Sequence, residues 1–355
     1  MYFVGGRVFF RCREDTYAEH CVDHSHHLRT PPPGEGDPWQ HGDRSSSSLL
    51  PKAIALKRPL FDFGRLLKGY TLRALTLDSD ILPALAGITR RVSQKARCQF
   101  FEGMPAVAFD AFIIFQPKDE NTVLRRRRGL PSYSWAGWKG GVVIGTKEVF
   151  DYMNRWLECC TWIIWYKRDS SGLNLVWDPS ENKDFPMEDM SYPGYRLRRS
   201  FRSPPGVSLD SRQTCPTQDV AVELLKKTGY PLLQFWTVSV HFQMEIVDEM
   251  RGVADIVTPK EMEDKFGRIY LDGIGDSSIF TTKDSFEFIL LSLRPSNWDL
   301  QLSAPDRLSS LLYYHVMLIE WNGPVAERRG FGRLIKTALA HSLPPGPQWK
   351  EIILG

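Results

Sequence analysis

The alternation of apolar and polar positions divides the chain into stretches of different period. Residues 2–4 and 7–12 are two strand-like runs on either side of Gly5-Gly6. That dipeptide supplies the positive φ angles of a two-residue turn, so the segment predicts a tight hairpin. Its first arm offers only about three residues, whereas strands usually run five or six and isolated hairpins are marginal. The expectation is that a longer strand, and the sheet it joins, lies upstream, so that the sequence begins inside a domain. From Phe61 the pattern turns helical, with Phe61, Leu66, Leu67 and Tyr70 at loosely helical spacing. Asp78-Ser79-Asp80 then offers N-caps for a helix carrying Ile81, Leu82, Leu85 and Ile88, with Pro83 in its first turn. The apolar run 109–115 fits a helix or a strand.

Pro131-Ser-Tyr-Ser-Trp-Ala-Gly-Trp138 leads into Gly140-Gly141-Val-Val-Ile144, which reads as loop, aromatic anchor and strand. Trp156, Trp162, Trp165 and Trp177 follow and predict a large aromatic core. The last third is strand-like: residues 232–244 and 285–293 alternate or run apolar. Residues 313–321 and 325–334 form a hairpin on Asn322-Gly323, where Pro324 is tolerated only at a strand's start or edge. A short helix over 334–340 and a Pro-rich tail at 344–347 close the chain.

The pattern fails in two places. Residues 24–58 carry Pro31-Pro-Pro33, Gly34, Gly36, Pro38 and Ser45–Ser48 with almost no apolar residue before Leu49. Such a segment buries too little surface to offset its ordering entropy and is expected to be a disordered insertion. Residues 192–217 are rich in Pro, Ser and Arg and read as a linker. The expected fold class is α+β: a closing hairpin at 1–23, the insertion at 24–58, a mixed helix and strand region with an aromatic core at 59–191, the linker at 192–217, and a β-rich region at 218–355.

Composition narrows the function. Of 355 residues 42% are hydrophobic and 25% charged, an ordinary globular balance that leaves room for two folded units. A net charge of +3 over this length does not argue for nucleic acid or an anionic membrane as the main partner. Basic charge is local, at Arg125-Arg-Arg-Arg128 and at Arg196-Leu-Arg-Arg199 with Arg202. No window nears the roughly 18 apolar residues of a membrane helix, and the start has no basic n-region of a secretory signal. Six thinly spread cysteines read as reduced thiols, which places the chain in the cytoplasm or nucleus.

No complete catalytic constellation is legible. Cys12, His20, Cys21, His24, His26 and His27 have the right softness for zinc, but no Cys-x-x-Cys pair or finger spacing. The glycines of 137–145 are followed by no Gly-Lys-Ser/Thr and open no clear helix, so they read as a turn. Asp272-Gly-Ile-Gly-Asp276 lacks the remaining ligands of a calcium loop and also reads as a turn. His241 and His315 sit alone in apolar strands and read as core histidines. Like-charge runs are usually solvated, and no aromatics interleave Arg125-Arg-Arg-Arg128 for base stacking. No cofactor and no metal is expected.

Two strings are particular enough to carry a resemblance. Pro131-Ser-Tyr-Ser-Trp-Ala-Gly-Trp138 resembles the PSWSWAGW string of fungal heterokaryon-incompatibility (HET) domain proteins. The tail, from Tyr314-His-Val-Met-Leu-Ile-Glu-Trp-Asn-Gly-Pro-Val-Ala-Glu-Arg-Arg-Gly-Phe-Gly-Arg333 to Ser342-Leu-Pro-Pro-Gly-Pro-Gln-Trp-Lys-Glu-Ile-Ile-Leu-Gly355, is similar to the terminal segment of many such proteins. Residues 70–88 and 233–240 agree with it. The resemblance implies a role in allorecognition and programmed cell death when unlike fungal individuals fuse. In the family the motifs of the HET domain, which is likened to TIR-type signalling domains, precede a hairpin like that of residues 2–12, so no active-site position is carried across. What it implies is a non-enzymatic region with a protein partner, a HET or associated signalling domain. A TIR-like NAD hydrolase and a nucleic-acid module using the arginine runs are the alternatives. Ser132, Tyr133, Trp135 and Trp138 are read as a structural aromatic clamp, with a ligand or partner groove as the functional alternative, and Glu327, Arg328 and Arg329 as an edge-strand charge patch that solubilises or interacts.

Overall fold

In the computed structural model, β1 (Tyr2–Val4) and β2 (Arg7–Arg11) pair antiparallel with Val4 opposite Arg7, the register a two-residue connection demands. A third strand, β3 (Thr16–Ala18), which the sequence did not announce, adds to β2. The structure describes residues 2–4, 7–11, 16–18, 58–119, 121–145, 147–151, 153–178, parts of 203–217, 225, 228–258, 265–273, 285–294 and 313–355. Of the expected insertion at 24–58, only residue 58 is among the described residues. Residues 1–58 and 59–355 form two compact units.

The second unit opens with α1 (Pro59–Tyr70), which buries Leu60, Phe63, Leu67 and Tyr70. Two 3₁₀ turns follow at Asp78–Ile81 and Pro83–Leu85, and the regular helix α2 (Ala86–Ala96) begins only afterwards. The single helix expected from Asp78 is therefore broken. Neither Leu77 nor Leu82 caps with a side chain, and Pro83 cannot donate to the preceding turn. The hairpin β4 (Phe100–Phe101) and β5 (Met104–Pro105) leads to α3 (Phe109–Ile113) and β6 (Phe115–Pro117). The ambiguous run 109–115 thus uses both conformations. Short pairs follow: β7 (Arg125–Arg126) with β8 (Trp138–Lys139), and β6 with β9 (Val142–Ile144). The helices α4 (Lys147–Asp151) and α5 (Met153–Cys159) complete this helical and aromatic layer, and the hairpin β10 (Tyr166–Asp169) and β11 (Gly172–Leu175) leaves it.

The remaining strands are β12 (Leu232–Asp248), β13 (Val253–Val257), β14 (Lys265–Leu271), β15 (Phe286–Arg294), β16 (Tyr313–Asn322), β17 (Val325–Ile335) and β18 (Gln348–Leu354). Antiparallel pairing runs β12-β13-β14-β17-β16-β15 and then returns to β12. The ring is closed, which removes the free edges an open sheet would present. β12 is long enough to serve several partners. Ser239 pairs with Ile289 of β15 on one edge and with Gln348 of β18 on the other, so those two strands flank it. β10 continues the β15 edge, and β18 ends parallel to β17 at Ala326 and Leu354.

Following the registers, Val240, Phe242, Phe288, Leu318, Ile269, Ala254 and Ile256 share the inner side, and all are buried. Three glycines make the seam between β14 and β17. A Cβ on Gly267 or Gly332 would lie 2.1 Å from the carbonyl oxygen of Arg333 or Arg268. The outer side packs on the helical layer: the Trp165 and Phe235 rings are 4.5 Å apart, and Trp156 donates to the Leu293 carbonyl at 3.0 Å. The aromatic core expected from the tryptophans is here, with Trp135, Trp138 and Trp156 among its largest buried side chains.

At the end of the chain two expectations shift. β17 runs on to Ile335, and the short helix is a 3₁₀ turn at Lys336–His341. The Pro-rich tail leads to a further strand, β18, along β12. Two glycine substitutions separate close approach from backbone freedom. Gly332→Ala should destabilise by about 3 kcal/mol or more, because neighbouring backbone has no way to yield. Gly87→Ala, in α2 with nothing near its Cβ, should stabilise by about 0.5–1 kcal/mol in urea unfolding.

Candidate functional site

The string 131–138 is folded around its own polar atoms. Ser132 donates its N–H to the Gly355 carbonyl oxygen at 3.0 Å, and its Oγ donates to the same oxygen. That hydroxyl also accepts the Arg328 backbone N–H at 2.9 Å. Tyr133 donates to the Pro231 carbonyl at 2.8 Å, and Ser134 to that of Glu102 at 2.7 Å. The Trp135 indole reaches the Gly103 carbonyl at 2.9 Å, and the Trp138 indole that of Ser132 at 2.8 Å. Glu102 and Gly103 both have positive φ, the conformation of a two-residue hairpin turn, which offers their carbonyls to the string. Gly137 is required as well, since a Cβ there would meet the Pro131 carbonyl oxygen at 2.2 Å.

These bonds place the four residues read as a clamp or groove. Ser132, Tyr133 and Trp135 are 0% exposed and Trp138 is 2% exposed, so they present no side-chain surface to a ligand. Buried hydroxyl and indole groups must find partners inside, and here each has one. The geometry is that of the clamp.

The charge patch divides. Arg328 lies on β17, but the register between β16 and β17 slips by one residue, from Leu318 opposite Gly330 to Ile319 opposite Arg328. This bulge turns Arg328 away from the glycine side of the strand and under the helical layer. It is fully buried. Its Nε donates to Asp272 Oδ2 at 2.7 Å, one terminal nitrogen donates to the Phe115 carbonyl at 2.8 Å, and the guanidinium lies 3.6 Å from the Phe115 ring centroid. Arg328 therefore leaves the surface patch. Glu327 and Arg329 remain partly exposed, and Arg329 pairs with Glu320 at 2.8 Å.

Asp272, read only as part of a turn, is the partner charge. It too is fully inside, and its Oδ1 accepts no hydrogen bond among the described residues. Burial pushes its carboxyl upward and works against the guanidinium of Arg328, while each charge pulls the other back toward ionisation. Asp276 lies outside the described residues.

The arginine run is also half internal. Arg126 donates to the carbonyls of Leu130, Arg127 and Gly137, and sits 5.4 Å over Trp138. Arg127 donates to the Trp138 carbonyl at 3.1 Å and pairs with Asp78 at 3.5 Å. Arg125 and Arg128 stay exposed, so the solvated run expected from the sequence holds for only half of it. Arg196, Arg198, Arg199 and Arg202 lie outside the described residues.

His315 is buried with its Nδ1 2.8 Å from Ser292 Oγ, and burial, aided by Arg294, lowers it to about 3. His241 differs from the expected core histidine. It is 21% exposed, 3.9 Å from Glu287, in a polar group where Glu287 also accepts from Ser239, Trp321 and Lys350. Burial pushes the Cys98 thiol up to about 12. Among the described residues no three His, Cys, Asp or Glu side chains gather as a metal site, and no helix is long and apolar enough to cross a membrane. The Cys12 and His20–His27 cluster lies outside the described residues.

Comparison with family models, curated proteins and solved structures finds no match. The architecture therefore has to speak through its own contacts.

Removing one partner of a buried pair strands the other charge. Arg328→Met should destabilise by about 3–5 kcal/mol in urea unfolding, and adding Asp272→Leu should recover most of it. A second effect depends on pH. Unfolded His315 takes a proton near 6.5, whereas the folded residue resists until about 3. Its stabilisation is complete above 6.5 and falls as pH drops, by up to about 1.4 kcal/mol per pH unit. His315→Gln should remove that slope from urea midpoints measured between pH 6.5 and 4.

Proposed function

We propose that this chain is a non-enzymatic region of fungal self/non-self recognition. In the cytoplasm it docks on or restrains a HET or associated signalling domain. One observation carries the reading. The two strings that hold the resemblance, 131–138 and 314–355, meet at Ser132, which bonds both Gly355 and the backbone of Arg328. What the resemblance consists of is thus one interlocked unit, whose polar atoms are engaged with each other. Such a unit makes a rigid support for docking.

Two groups that bear on the alternatives are engaged in the interior. A nucleotide hydrolase needs a positioned carboxylate in a cleft, while Asp272 is paired with Arg328 in the interior. Nucleic-acid binding would draw on the arginine run, of which Arg126 and Arg127 hold backbone carbonyls.

The test is expression in a fungal host, alone and together with an intact HET domain, scored by cell survival. The chain should change the toxicity of the HET domain, and Arg328→Met should abolish that effect. If neither viability nor toxicity responds, the proposal fails. Turnover of NAD by the pure chain would favour the hydrolase instead.

A further inference from the structure

Residues 213–217, Gln-Thr-Cys-Pro-Thr, lie in the stretch that composition marks as a linker, yet the sheet holds them at every second carbonyl. The Gln213 carbonyl accepts from the Trp349 indole at 2.6 Å and that of Cys215 from the Trp236 indole at 3.3 Å. The Thr217 carbonyl accepts from Arg168 at 3.0 Å and from Gln234 at 2.9 Å. Glu351 takes both the N–H and the hydroxyl of Thr217, each at 2.8 Å. The Cys215 side chain lies beside Tyr166, and Pro216 is buried. Among the described residues no backbone-to-backbone bond joins this strap to the sheet. It is not another strand but a segment gripped by side chains.

The gripping face is built independently of what it holds. Tyr166 and Arg168 stand on β10, Gln234 and Trp236 on β12, and Trp349 and Glu351 on β18, with Tyr166 opposite Gln234 and Trp236 opposite Glu351. Period-two alternation puts all six on one side of three adjacent strands. They also bind one another: Arg168 donates to Gln234 at 2.8 Å, Gln234 to Glu351 at 2.7 Å, and Trp236 stacks on Trp349. The ring of strands closes without the strap. Donors spaced for main-chain carbonyls, with one carboxylate for an N–H and a hydroxyl, are the chemistry of peptide recognition.

We propose that this face is a peptide-binding surface, occupied here by the chain's own residues 213–217 as an internal ligand. Its external occupant is a partner-protein segment with a Pro-Thr step that presents the same carbonyls and hydroxyl. The tethered strap competes at high effective concentration, so it keeps the face closed to partners until it leaves. The surface rests on these contacts and not on the biological role proposed above.

The test replaces residues 213–217 by Gly-Ser-Gly-Ser-Gly in the full chain and titrates in a fluorescein-labelled peptide of residues 209–220. Saturable binding should appear, at least about tenfold tighter than to the natural chain. A peptide with alanine for Thr217, or Glu351→Gln in the protein, should weaken it about tenfold. A folded variant that does not bind the peptide, or binds it regardless of both changes, overturns the proposal. Hydrogen exchange in the natural chain decides the matter if the replaced chain fails to fold. The Thr217 amide should exchange faster than those of β12 and β18, and faster still with Glu351→Gln or excess peptide. Exchange of that amide only together with the strands would show the strap to be part of the fold and overturn the proposal.

Discussion

A guanidinium sealed from water must find its hydrogen bonds in the protein, and Arg328 draws three regions together in finding them. Asp272 comes from the end of β14, Phe115 from the helical layer, and the Arg328 backbone N–H meets Ser132. Taking two charges out of water is expensive, and only close geometry with further bonds offsets it. The pair therefore tolerates few arrangements of layer against ring. That selectivity matters more than net stability: apolar residues of the same shape would fill the space, but would not dictate which carbonyls must face it.

The ring supplies the other half of the constraint. Closing six strands leaves the ring itself without a free edge, and the seam between β14 and β17 closes only because Gly267 and Gly332 let backbones approach where a Cβ has no room. The bulge opposite Leu318 and Ile319 then changes the phase of β17, so that its glycines face one side and Arg328 the other. Tight seam and buried charge are thus coupled through one irregularity. Around this frame the surface chemistry is lighter, and the strap at 213–217 is held by side chains whose row would persist without it.

Much of the fold was legible in the sequence, because its cues are local. Gly5-Gly6 and Asn322-Gly323 each sit between strand-like runs, and a two-residue turn leaves little choice of register. The tryptophans of 135–177 announced an aromatic core, and the alternation over 232–244 announced β12. The candidate site was legible only in part. Ser132 to Trp138 stood out as a string, but whether its rings faced a ligand or the interior depended on carbonyls at Glu102, Gly103 and Pro231 that no local pattern marks. The strap was hidden by its composition, since proline, serine and arginine predict a linker whether or not a distant row of side chains binds it.

By itself the sequence determined a mixed α+β chain, its turns, most of its strands and the apolar stock of its core, all through interactions between neighbours along the chain. Only the tertiary structure decided that the strands close on themselves, that Arg328 turns inward to Asp272, that Arg126 and Arg127 bond backbone carbonyls, and that residues 213–217 are held. Each of these depends on groups far apart in the chain, whose partners exist only once the backbone has brought them within bonding distance. A charge or a carbonyl carries no mark, in its own residue type, of which distant group will satisfy it.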